Sequence, residues 1–209
     1  MKRKGAIFFI ARTSGHMLST ALLSTTRRSA NPITMSSRLA SSKTYHLKGF
    51  GESCKTNVLT DTTHKLNTDI PKAMGGQDSA PQPVEHLLAA YIGCTQATAV
   101  FVGRNMKPRI LIDKIEFDIV GQRDEHGALD DVPITQQSPL PQSPARLSSI
   151  NGSITVFTKD RSGEMIAMEE GSLELLEKHV EHRCPIANMM ILSGCEMKVL
   201  WEDGNGTNI

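Results

Sequence analysis

The chain has 209 residues, 39% hydrophobic, 22% charged and 4% aromatic, with a formal net charge of +1. This composition excludes a collagen-like, coiled-coil or wholly disordered chain, and the length suits one domain, or two small ones, with a buried core. A charge near zero gives no footing for nucleic-acid binding, and four cysteines do not make a disulfide scaffold. No run reaches 18 apolar residues, so no stable membrane insertion is expected.

The average hides a break in composition. Residues 1–43 hold eight Lys or Arg and no carboxylate, whereas residues 44–209 hold 15 basic and 22 acidic groups. Ile7, Phe8, Phe9 and Ile10 follow Lys2, Arg3 and Lys4, and Leu18, Leu22 and Leu23 recur at helical spacing ahead of Arg27 and Arg28. A basic, hydroxylated, acid-free and amphipathic start predicts a mitochondrial-type targeting segment, because a positive helix is drawn to anionic membranes and along an inside-negative potential. A secretory signal and an inert basic tail are the competing readings. The apolar run is short for the former and is interrupted by Arg12. Met35 offers a second start site. The expected organisation is a targeting segment over 1–43 and one folded domain over 44–209.

Residues 44–70 alternate loosely, with Leu47, Val58, Leu59, Leu66 and Ile70 as apolar points, and predict two or three short strands. Pro71, Gly75, Gly76, Pro81 and Pro83 make a loop. Residues 84–103, VEHLLAAYIGCTQATAVFVG, predict a helix with almost no polar face, and such a helix is expected to be buried at the centre. Pro83 and Glu85 suit its start and Gly103 its end.

Residues 110–120 alternate and predict a strand, and residues 121–149, with four prolines, predict a long surface loop. A strand over 150–157, helices over 173–180 and 185–192, and a strand over 195–201 complete the order. Strands, helix, strands, helices and strand together give an α+β class in one domain.

Two cysteines attract chemical interest. Cys94 lies inside the apolar helix, where packing is the ordinary role of a thiol. Cys184 precedes Pro185, which places it at a helix N-cap, where unpaired N–H groups stabilise a thiolate. Arg183 and a protonated His182 would add to that effect. From the residues alone, Cys184 is therefore the more acidic thiol. His179, His182 and Cys184 lack a fourth ligand at a usual zinc spacing, and no phosphate-binding or dinucleotide-binding glycine motif is present.

PVEHLLAAYIGCT and HRCPIANMMILSG resemble the two signature segments of the OsmC/Ohr family, and KLNTDIPKAMGG resembles the stretch ahead of the first signature in its organic-hydroperoxide-resistance branch. The resemblance covers residues 44–201. It implies a small α+β fold with antiparallel sheets around a buried central helix, assembled as an intertwined homodimer. It also implies a thiol-dependent peroxidase that reduces organic hydroperoxides in oxidative-stress defence and needs no cofactor or metal. In that reading Cys94 attacks the hydroperoxide, Cys184 resolves the sulfenic acid as a disulfide, and a dithiol reductant reopens the bridge.

Glu85 matches the family glutamate that orients an arginine beside the thiolate. The arginine itself is missing, since the sequence has no Arg between Arg38 and Arg104. Lys55 stands about where it is expected, although an ammonium is a point charge and not a planar fork. The alternative implied by this departure is a non-catalytic OsmC-like protein that keeps the fold and binds a ligand.

Overall fold

The computed structural model describes residues 42–129 and 132–206. The basic segment 1–43 lies outside them except for residues 42 and 43. Three short strands come first: β1 (Leu47–Glu52), β2 (Lys55–Thr60) and β3 (Lys65–Thr68), paired antiparallel in that order. The turn between β1 and β2 holds Ser53 at φ 54°, and that between β2 and β3 holds Thr63 at φ 65°. Leu47, Phe50, Leu59 and Leu66 of this sheet are all exposed, Phe50 by 67%.

The loop after β3 is organised by a buried carboxylate. Asp69 accepts from the N–H groups of Ile70, Gln77 and Ser79 and from the Ser79 hydroxyl at 2.7 Å. The loop closes tightly enough that a Cβ at Gly76 would meet the Ile70 carbonyl oxygen at 1.9 Å, so only glycine fits. A single 3₁₀ turn, Lys72–Met74, lies within it.

Helix α1 (Pro83–Asn105) starts with Pro at its first position, and the Gln82 N–H donates to Glu85 Oε2 at 2.7 Å. It has the length and mean hydropathy (1.3) of a membrane-spanning segment, although Gly, Thr and Gln break its apolar run. Its buried residues, Tyr91, Thr95, Ala99, Val102 and Gly103, form one stripe that packs on the rest of this chain. The expectation of a helix buried all round is thus corrected for a single copy. Leu87 and Phe101 remain exposed, Phe101 by 60%.

Strands β4 (Leu111–Arg123) and β5 (Leu147–Lys159) form a long antiparallel ladder, with irregularities at Ile112/Lys114 and Gln122/Arg123. The connection between them, expected over 121–149, is shorter because both strands extend into it, and it holds a short helix, α2 (His126–Leu129). Two-residue β6 (Met165–Ile166), not foreseen from its sequence, pairs with β5.

Helices α3 (Ser172–Arg183) and α4 (Pro185–Leu192) then lead to β7 (Glu196–Asp203), which pairs parallel to β5. The second sheet is therefore mixed, where antiparallel sheets were expected. A parallel neighbour requires a crossover, and α3 and α4 supply it.

Alternate residues of β5, Ile150, Ile154 and Val156, point into the core. Ile154 and Val156 meet Ala99, Val102, Leu176, Val180 and Trp201 in one apolar cluster. Ile150 belongs to a second cluster with Tyr91, Cys184, Ala187, Met190 and Cys195, against which Cys94 and Leu88 pack.

Candidate functional site

That second cluster holds the chemistry. Cys94 comes from the middle of α1 and is half-buried, and Cys184 comes from the α3–α4 junction and is fully buried. Cys94 lies close enough to act on the Cys184 thiol, and both thiols are free. They lie ninety residues apart in sequence, and the packing of α1 against α4 joins them.

Cys184 is the N-cap of α4, as its position before Pro185 predicts. Its φ and ψ of −77° and 108° are extended, and its sulfur accepts from the Ala187 N–H at 3.4 Å. The thiolate stabilisation expected of this N-cap is outweighed. Burial pushes its pKa up, and the neighbouring Cys94 pushes the same way, against the stabilising Ala187 N–H and Thr95 hydroxyl. Arg183 does not offset this, since its guanidinium donates to Nδ1 of His179 at 2.6 Å and to the His179 carbonyl.

Glu85 and Cys94 do not meet within one chain. They occupy one unbroken helix, nine residues apart, which is about 13 Å along the axis and about half a turn out of phase. Glu85 is exposed and its carboxylate caps the helix start. Lys55 begins β2 and lines a cleft of about 270 Å³ with Glu52, Cys54, Asp69 and Gln77, a cleft lined by no residue of α1 or α4. One chain thus assembles the two thiols and leaves the acid and the lysine apart from them.

Two residues not singled out from the sequence complete the thiol cluster. Thr95 Oγ1 stands 3.9 Å from Cys184 Sγ, and Tyr91 lies one turn before Thr95 on the same buried stripe. Burial, with a contribution from Cys184, pushes the Tyr91 pKa up to about 12, against the Thr95 hydroxyl. The sequence signal was available, because Tyr91 is three residues from Cys94 and four from Thr95 and so neighbours both on the helix surface. Tyr91 also borders an open cavity of about 420 Å³ with Glu177, Glu181 and Lys198.

The OsmC-like protein family matches residues 76–199. Among solved structures, the chain is similar to an OsmC-like protein from Mycoplasma pneumoniae at 18% identity and TM-score 0.54, covering 76% of this chain and 96% of that one. It is similar to an organic hydroperoxide resistance protein OsmC from Legionella pneumophila at 16% identity and TM-score 0.54, covering 77% and 97%. It is also similar to an organic hydroperoxide resistance protein from Elizabethkingia anophelis at 14% identity and TM-score 0.55, covering 79% and 100%. At these identities the likeness is one of fold. Comparison with curated proteins gave no match.

Proposed function

This chain belongs to the OsmC-like protein family, and from that premise we propose that it is a thiol-dependent peroxidase acting on organic hydroperoxides. The observation that carries this reading is the pair of free thiols, Cys94 and Cys184, held side by side in an otherwise apolar cluster. The names of the Legionella and Elizabethkingia relatives point the same way.

In the first step the Cys94 thiolate attacks the outer peroxide oxygen. An S–O bond forms, the O–O bond breaks, and the alcohol leaves as it takes up a proton. The Cys184 sulfur then attacks the Cys94 sulfenic acid. An S–S bond forms, the S–O bond breaks, and the Cys184 proton leaves with the hydroxyl as water. A dithiol reductant reopens the bridge by exchange. Cys94 suits the first role because it is half-buried and reachable, whereas Cys184 is sealed in the core. Apolar surroundings such as Leu88 and Ile92 suit an alkyl or fatty-acyl hydroperoxide.

The working form in this reading is a homodimer. The exposed Leu87 and Phe101 of α1 and the uncovered sheet β1–β3 supply apolar surface for a second copy. That copy would bring Glu85 of the partner subunit, or Lys55 of the partner subunit, to the Cys94 thiolate. The basic segment 1–43 directs the chain to mitochondria in the same proposal.

Thiol titration before and after one equivalent of an organic hydroperoxide tests the activity. Loss of two thiols per chain is expected. No loss would leave the reading of a ligand-binding family member, which is favoured by the separation of Lys55 and Glu85 from Cys94 in one copy.

A further inference from the structure

Resting on the two-thiol reading above, we propose that Thr95 is a positioning residue for the resolving step, holding and polarising the Cys184 sulfur as it attacks oxidised Cys94. Three polar residues are buried among the described residues: Asp69, Thr95 and Thr158. The Asp69 carboxylate is saturated by its loop, and the Thr158 hydroxyl donates to the Ile166 carbonyl at 2.6 Å. Thr95 differs. It is 2% exposed, it follows Cys94 directly in α1, and its oxygen is set against a thiol sulfur. A buried hydroxyl costs stability unless it is bonded, so a valine of the same shape would be the simpler choice for packing alone.

The geometry suits a donor to sulfur. Cys184 already accepts the Ala187 N–H at the start of α4. Thr95 reaches the same sulfur from α1, so polar groups of two different helices converge on it, and once the sulfur gives up its proton the threonine hydroxyl is the donor. Tyr91 lies one turn earlier on the same buried stripe of α1 and interacts with Thr95; with the tyrosine neutral, its hydroxyl donating to the Thr95 oxygen would leave the threonine proton for sulfur. When Cys184 gives its proton to the departing hydroxyl of the sulfenic acid, the sulfur passes through a thiolate-like charge. Hydrogen bonds to charged groups are worth more than those to neutral ones, so the Thr95 donor strengthens at that moment. The Cys94 step, in which Cys184 stays protonated, gains nothing from it.

The test follows both steps separately in the full chain, with an organic hydroperoxide as oxidant. Loss of the Cys94 thiol reports the first step, and the appearance of the Cys94–Cys184 disulfide reports the second. Thr95→Val is expected to slow disulfide formation about tenfold relative to Cys94 oxidation, with sulfenic acid accumulating, and Thr95→Ser to restore the rate. Wild-type disulfide formation in Thr95→Val, or a Thr95→Ser chain as slow as Thr95→Val, overturns the proposal. Tyr91→Phe keeps the ring and its packing and is expected to slow the same step by a smaller factor. Should Thr95→Val not fold, an unchanged rate in Tyr91→Phe overturns the proposal in its place. A wild-type chain that loses no thiol to the hydroperoxide overturns the peroxidase reading itself, and this inference with it.

Discussion

Cys94 and Cys184 share one cluster across the contact between α1 and the start of α4, and of the two only Cys94 is partly open to solvent. This asymmetry orders their chemistry. In the proposed cycle the half-buried thiol meets the oxidant, and the sealed one meets only the product of that encounter.

The two cysteines should therefore fail in different ways. Cys94→Ser is expected to reduce hydroperoxide turnover to background, with no thiol lost at one equivalent. Cys184→Ser is expected to lose one thiol per chain and stop at a sulfenic acid, seen by mass as one added oxygen. Normal turnover in both variants would remove the mechanism.

Glu85 and Lys55 provide a test of assembly. Because neither is held beside Cys94 in one copy, the proposed site needs two chains. Sedimentation at micromolar concentration is expected to give a dimer. Mixing Cys94→Ser chains with Glu85→Ala chains is expected to restore part of the activity that each lacks alone, up to about a quarter of wild type if subunits mix at random and sites act independently. A monomer that consumes hydroperoxide at full rate contradicts the shared site. Lys55→Met is expected to slow Cys94 oxidation about tenfold if the ammonium stabilises the thiolate.

Asp69 sets an acid limit on stability. Burial raises its pKa, but the Ser79 hydroxyl and the N–H groups of Ser79, Ile70 and Gln77 outweigh it and hold the value down to about 2, against 3.8 for a free group. A carboxyl depressed in the folded state stabilises the fold above the free value, and that contribution is lost as pH falls from about 4 to about 2. Asp69→Asn is expected to lower the Tm at pH 7 and to flatten its decline between pH 4 and 2. Thermal unfolding across that range checks both.

The basic segment makes a cellular prediction. Residues 1–43 fused to a reporter are expected to carry it to mitochondria, and residues 44–209 alone are expected to express as a folded, active protein. A diffuse cytosolic signal would leave the segment without that role.

Much of the architecture was legible in the sequence because local patterns carry it. Pro83, Glu85 and the apolar run to Gly103 specify a helix whatever surrounds it, and α1 runs from Pro83 to Asn105. Cys184 before Pro185 specifies an N-cap, and the sulfur accepts the Ala187 N–H there. Two cysteine segments in order specified the family. Other features depend on neighbours distant in sequence, and only the tertiary structure decided them. The parallel pairing of β7 with β5 follows from how α3 and α4 cross over, which no strand pattern records. The acidity of Cys184 is a balance between a local N–H and the burial imposed by Tyr91, Ile150 and Met190. The sequence shows the N–H and not the burial, so its sign came out reversed. Thr95 is an unremarked threonine in a helix until folding sets its hydroxyl against a sulfur 89 residues away. Propensity and capping act within a few residues, whereas desolvation and side-chain contact exist only once distant segments have packed.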